Sequence, residues 1–238
     1  MAVFLLVHGS WHGAWCWSRI ARRLGAEGHR AVALDLPGHG ADRTPAWRIT
    51  FRSYVESVSA AAAACGTPVI VVGHSMGGMV ITQAAANAPE LFSAMIYLCA
   101  FVPLPGESVF SLGRQDRESL VSKSVTFRPT AVCARTERAR TVFYSDCPPE
   151  DAEWAASQLC PEPLFPQFGR FRARHPIALP RAYVECTRDR ALSISWQRAM
   201  ASRASIGSVV TMDSDHSPFL SAPEQLVGHL VELARMAG

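Results

Sequence analysis

The chain has 238 residues, 49% of them hydrophobic, with 23 basic and 20 acidic side chains and a formal net charge of +3. That is enough apolar material for one sizeable core, and the weak, dispersed charge without basic and aromatic tracts argues against a nucleic-acid partner. No apolar stretch approaches the roughly 20 residues needed to span a bilayer, so the expectation is a cytoplasmic protein, without a membrane partner, that handles a small molecule.

Ala2–Val7 is too short for a signal-peptide core and has no basic flank; it reads as a first strand, leading into the loop His8-Gly9-Ser10-Trp11. A helical pattern over Trp15–Glu27, a strand over Ala31–Leu34 and a helix over Phe51–Cys65 follow. Val69–Val72 is a β-branched run followed by a helix over Met76–Asn87 that Pro89 closes. Met95–Cys99 is the next strand. From about Pro103 to Pro180 the alternation lapses into a stretch rich in Pro, Phe and Arg, whose one plain helix signal is Pro148-Pro149-Glu150-Asp151, with proline and acids in the first turn. Strands at Ala182–Cys186 and Val209–Met212, with helices over Ser193–Ser205 and Pro223–Met236, complete the chain. Alternating strands and helices imply an α/β protein with a mostly parallel sheet covered on both faces. Residues 1–102 and 181–238 would form its core and 103–180 a cap inserted over the sheet edge. In such sheets the site lies at the carboxyl ends of the strands.

Gly73-His74-Ser75-Met76-Gly77 stands at one of those ends. A serine on a tight strand-to-helix turn is thrust out as a nucleophile, and the glycines are required because side chains at Gly73 and Gly77 would collide. Its hydroxyl needs a base, and the base needs a partner that fixes its tautomer. Of eight histidines only His216, in Asp213-Ser214-Asp215-His216-Ser217-Pro218, follows the last strand and hangs over the carboxyl edge. Asp189, two residues beyond the penultimate strand, is the acid; Asp213 and Asp215 are too near His216 along the chain to reach its ring. Backbone N–H groups of Ser10 and Met76 would stabilise an oxyanion, the second helped by the helix dipole.

Other residues have two readings. His12 and His74 flank the loop and the serine, where they either line a pocket or pack. Trp11, Phe101, Trp154 and Phe165, with Phe127, Phe143, Leu159 and Phe168, form an apolar ceiling, or in part simply cap core. Arg135, Arg138 and Arg140 steer an acidic substrate or lie on a solvated face. Lys123 is the only lysine. The seven cysteines show no metal-ligand spacing; they read as reduced, buried thiols, with Cys147–Cys160 the one disulfide left open.

Several of these segments resemble the small α/β-hydrolases of the plant methyl esterase and hydroxynitrile lyase group. They are Val7-His8-Gly9-Ser10-Trp11-His12-Gly13-Ala14-Trp15, Asp35-Leu36-Pro37-Gly38-His39-Gly40, the cap segment from Cys147 through Phe165, Tyr183 to Asp189, and Asp215-His216. The resemblance implies an α/β-hydrolase fold with a six-stranded sheet and a helical cap, and no cofactor or metal. It also implies a homodimer through the cap and hydrolysis of a small-molecule ester by Ser75, His216 and Asp189. The lyases of that group carry a threonine and a lysine where this chain has Gly9 and Ser217, which favours ester hydrolysis over cyanohydrin cleavage. Lactone opening or cyclisation, or a receptor built on the same fold, are the alternatives.

Overall fold

The computed structural model describes residues 1–173 and 175–235. Arg174, inside the expected cap, and Met236, the expected end of the last helix, lie outside the described residues.

The apolar runs become strands because each is bracketed by breakers and buried on both faces. β1 (Val3–Val7) is followed by a short 3-10 turn and α1 (Ser18–Ala26), then β2 (Arg30–Leu34) and α2 (Phe51–Ala63). Next come β3 (Val69–His74), α3 (Gly77–Asn87) and β4 (Phe92–Leu98). After the inserted stretch, β8 (Arg181–Cys186), α7 (Ile194–Arg203), β9 (Ser208–Met212), the single turn α8 (Pro218–Ser221) and α9 (Pro223–Ala234) return to the same layers. The six core strands form one sheet in the order β2-β1-β3-β4-β8-β9. Every pairing in it is parallel, so the sheet is wholly rather than mostly parallel.

Residues alternate across the pleat. Val3, Leu5 and Val7 enter a core beneath α2 and α3, whereas Phe4 and Leu6 enter a second core beneath α1 and α9. The chain leaves β1 on one side and β3 on the other, so these two strands, adjacent in the sheet, open a crevice at their carboxyl ends. The His8–Trp11 loop and Ser75 meet there.

The stretch between β4 and β8 is not helical alone. It holds α4 (Val109–Gly113), α5 (Thr136–Phe143) and α6 (Pro149–Gln158), and also an antiparallel sheet of β5 (Val125–Phe127), β6 (Ala131–Ala134) and β7 (Glu162–Pro163). These strands are two to four residues long, too short for a period-two pattern to register in sequence. α6 begins where the Pro148-Pro149 pair predicted a helix start. All seven cysteines are free, so Cys147 and Cys160 are not bridged. None of the described helices is long and apolar enough to cross a membrane.

Candidate active site

Ser75 sits at φ +52, a left-handed conformation that costs a side-chain-bearing residue of order 1–3 kcal/mol. The turn is held from both sides: Ser75 N–H donates to Leu98 O (3.2 Å), and Phe101 N–H donates to Ser75 O (3.0 Å). A Cβ on Gly73 would lie 2.9 Å from the carbonyl carbon of Gly77, and one on Gly77 would lie 2.8 Å from the Val7 and His8 carbonyl oxygens. The two glycines therefore let α3 start hard against β3 and the end of β1.

His216 lies on the loop between β9 and α8. Its Nδ1 donates to Asp189 Oδ2 at 2.6 Å, both side chains being buried. Asp189 is fixed in turn by the N–H groups of Ala191 (2.7 Å) and Leu192 (2.8 Å) on Oδ1 and by Gln197 Nε2 (3.2 Å) on Oδ2. The rival carboxylates are engaged elsewhere. Asp213 pairs with Arg188 on the surface; Asp215 accepts from Asp146 N–H, Ser217 N–H and Ser221 Oγ. Ser10, Ser75 and His216 line one cavity of about 500 Å³. No hydrogen bond joins Ser75 and the His216 ring among the described residues; such contacts are commonly long before substrate enters.

The loop after β1 is set by its own histidines. His8 Nδ1 donates to Gly9 O (2.8 Å) while Nε2 accepts Leu36 N–H (3.0 Å). His12 Nδ1 donates to Ser10 O (2.8 Å) while Nε2 accepts from the Tyr144 hydroxyl (2.9 Å). Because N–H and C=O point opposite ways in a trans peptide, tethering Gly9 O turns Ser10 N–H to the other side. Ser10 N–H and Met76 N–H have no acceptor among the described residues, whereas Trp11 N–H donates to Glu162 Oε2 (3.1 Å).

Glu162 was not singled out from sequence. It is 1% exposed on β7 and accepts from four donors: Trp11 N–H and His39 Nε2 on Oε2, Tyr54 Oη and Gln167 Nε2 on Oε1, at 2.9–3.1 Å. Burial lowers the His39 pKa, but the charge of Glu162 and its hydrogen bond outweigh it and raise the value above normal. Trp11 itself is at φ +64. All three of its polar groups reach the inserted stretch: N–H to Glu162, O to Cys160 N–H (2.9 Å), and Nε1 to Val132 O (2.9 Å).

Of the other expected pocket residues, Trp11 and Phe101 line the cavity, as do Phe127 and Phe143. His12 and His74 do not. They are buried behind it, His12 on the backbone of its own loop and His74 with Nε2 donating to His216 O (2.9 Å). Trp154 and Phe165 also stand outside the wall. Trp154 packs edge-on against Trp15 and is 44% exposed, and Phe165 is 50% exposed, on a turn whose Leu164 and Gln167 line the cavity in its place. Arg135, Arg138 and Arg140 are not in the lining either. His74, Cys99 and His216 come within 4.8 Å of one another, but His74 Nε2 and His216 Nδ1 are already committed and burial keeps the Cys99 thiol protonated.

Burial is the largest cause holding His8 and His74 well below the usual imidazole pKa and His12 at about 3. In the unfolded chain they titrate near 6.5. The unfolded state thus takes up protons first on acidification, so the stability these neutral rings contribute is fully present above that pH and is lost below it. The slope is about 1.4 kcal/mol per pH unit for each ring. His39 works in the opposite sense: its contribution is full below about 6.5 and is lost as pH rises through its raised value. Thermal unfolding followed from pH 7 to pH 5 should show falling stability, with a shallower fall in His12→Asn; an unchanged slope in that variant would count against the assignment.

A serine on a left-handed turn, a histidine–aspartate pair and two N–H groups without an acceptor among the described residues thus gather at the topological switch point of a doubly covered sheet. Residues 4–229 match the alpha/beta hydrolase family, and the chain belongs to that family. Methylesterase 2 of Arabidopsis thaliana is 30% identical over 252 residues, covering 97% of this chain and 95% of that protein. Pheophorbidase of Raphanus sativus is 29% identical over 242 residues, covering 96% and 92%. The crystal structure of the methylesterase protein MES16 from Arabidopsis has a TM-score of 0.85 at 27% identity, with 99% of each chain covered.

Proposed function

We propose that the protein is a serine hydrolase that cleaves carboxylic esters, methyl or small alkyl and aryl esters of a largely apolar acid, through an acyl-enzyme. The observation that carries this reading is the 2.6 Å bond from His216 to Asp189, in a ring that opens onto the same cavity as Ser75. Ser75 Oγ attacks the ester carbonyl. His216 Nε2, the nitrogen not committed to Asp189, takes the hydroxyl proton and returns it to the departing alcohol, while Asp189 holds the tautomer and stabilises the imidazolium. The carbonyl oxygen, as it becomes negative, lies between Ser10 N–H and Met76 N–H. Water deprotonated by the same histidine then attacks the acyl carbon, and Ser75 leaves with the proton restored.

Two features support hydrolysis over cyanohydrin cleavage. A Cβ on Gly9 would lie 2.6 Å from Ser75 Cβ, so the threonine of the lyases does not fit beside this nucleophile without moving it. Ser217, buried, follows His216 in place of their lysine. The relatives named methylesterases point the same way.

The test is a fluorophosphonate label followed by peptide mapping, together with rapid mixing against a p-nitrophenyl ester. The expected result is one label on Ser75 and a burst of p-nitrophenol equal to the enzyme present. A protein that neither labels nor turns over any ester is not the enzyme proposed.

A further inference from the structure

From the charge distribution around the cavity, we infer that the cognate ester carries a carboxylate at the end remote from its ester bond, seated by Arg114, Arg117 and Lys123 while the apolar body lies in the cavity. This rests on the hydrolase reading above and adds a substrate class to it.

The lining has two unlike parts. Ser10 and His216 are buried and Ser75 is half-buried; within residues 109–127, Phe110, Arg114, Arg117, Lys123 and Phe127 are exposed. The Arg114 guanidinium lies 5.8 Å from the centre of the exposed Phe110 ring, over its face. None of the three cations forms a salt bridge among the described residues.

The lining also contains two acids, both engaged in hydrogen bonds. Asp116 is buried and accepts from the N–H groups of Glu118, Ser119 and Ser193 and from the Ser193 hydroxyl. Glu162 is saturated by its four donors and paired with His39. Three cations against two carboxylates leave the formal charge of the lining positive.

One exposed cation in such a lining contributes little by itself. Three around an apolar opening act together, because low-dielectric walls focus their field into it. Arginine forks match a carboxylate in geometry as well as charge. An occupant that satisfies both parts is an amphiphile with an apolar body, an ester at Ser75 and one carboxylate at the mouth. A small net charge of +3, with three cations free of salt bridges among the described residues in the lining of one cavity, suits a single anionic group better than a polyanion.

The experiment compares the monomethyl and dimethyl esters of α,ω-dicarboxylic acids of increasing chain length. At low ionic strength kcat/KM for the half-ester should exceed that of the diester by about tenfold at the best length, and the ratio should shrink in high salt. The combined Arg114→Gln, Arg117→Gln, Lys123→Gln variant should lose the preference, with circular dichroism and thermal melting confirming that it is folded. Equal or lower kcat/KM for the half-esters at every length would overturn the proposal. Calorimetric binding of the same pairs to Ser75→Ala separates this inference from the one beneath it. If the native protein hydrolyses nothing but Ser75→Ala binds half-esters about tenfold more tightly than diesters, the mouth stands and the hydrolase reading fails; equal binding overturns the mouth.

Discussion

Ser75→Ala and His216→Ala are each expected to lower kcat for ester hydrolysis about 10⁶-fold, and the double variant no further, because the two act as one unit. Asp189→Asn should cost about 10⁴-fold. The ordering follows from the geometry. Without Ser75 there is no acyl-enzyme, and without His216 the hydroxyl has no base. Without the Asp189 carboxylate, the ring loses the acceptor 2.6 Å away that keeps its proton on Nδ1. An amide there is still anchored on its oxygen by Ala191 and Leu192 N–H, which turns its NH₂ toward His216 and enforces the wrong tautomer. Steady-state kinetics on one p-nitrophenyl ester checks all four variants. Multiplicative losses in the Ser75→Ala, His216→Ala double variant would mean the residues work separately, and an Asp189→Asn enzyme near full activity would remove Asp189 from the mechanism.

Glu162→Ala is expected to lower kcat about 10²-fold with KM little changed, comparable to misplacing one oxyanion donor, while Glu162→Gln recovers most of the loss. Glu162 touches no reacting atom; it positions Trp11, whose left-handed backbone directly follows Ser10. Alanine strips the acceptor from Trp11 N–H and leaves His39 without its counter-charge. Glutamine can keep an oxygen toward Trp11 and His39, because the Tyr54 hydroxyl and the Gln167 amide on the other side can turn to accept its NH₂. A merely structural residue would lower stability without this split. The informative outcome is therefore a folded Glu162→Ala protein with depressed kcat and normal KM, rescued by glutamine; KM and kcat moving together, or no rescue, would contradict the positioning role.

Ser75, His216 and Asp189 were legible in sequence because each sits just past a buried apolar run, and chain order alone then places them at one edge. The loop donors were legible for the same reason. Glu162 was not. Pro161-Glu162-Pro163 looks like a surface turn, and the only local hint is that the residue before a proline is driven extended, which is how it comes to lie on β7. Its partners are His39 and Tyr54, more than a hundred residues upstream, and no local pattern announces them. His12 and His74 flank the loop and the serine in sequence, but spacing does not report that their rings turn away from the cavity to hold backbone carbonyls. Trp154 and Phe165 were misplaced because aromatic composition marks burial somewhere, not the side of a helix on which it occurs.

The inserted stretch has two halves with different obligations. Residues 132 and 160–167 are bolted to the core through Trp11, His39 and Tyr54, so alterations there disturb the reaction itself. Residues 109–127 shape the entrance and carry none of those bonds. Directed evolution for a new substrate therefore has exposed positions it can rewrite at the entrance, apart from Asp116, Ser119 and Leu120, which hold the loop after Asp189, and a region it must leave alone; libraries confined to the first should change preference while turnover on unhindered esters persists.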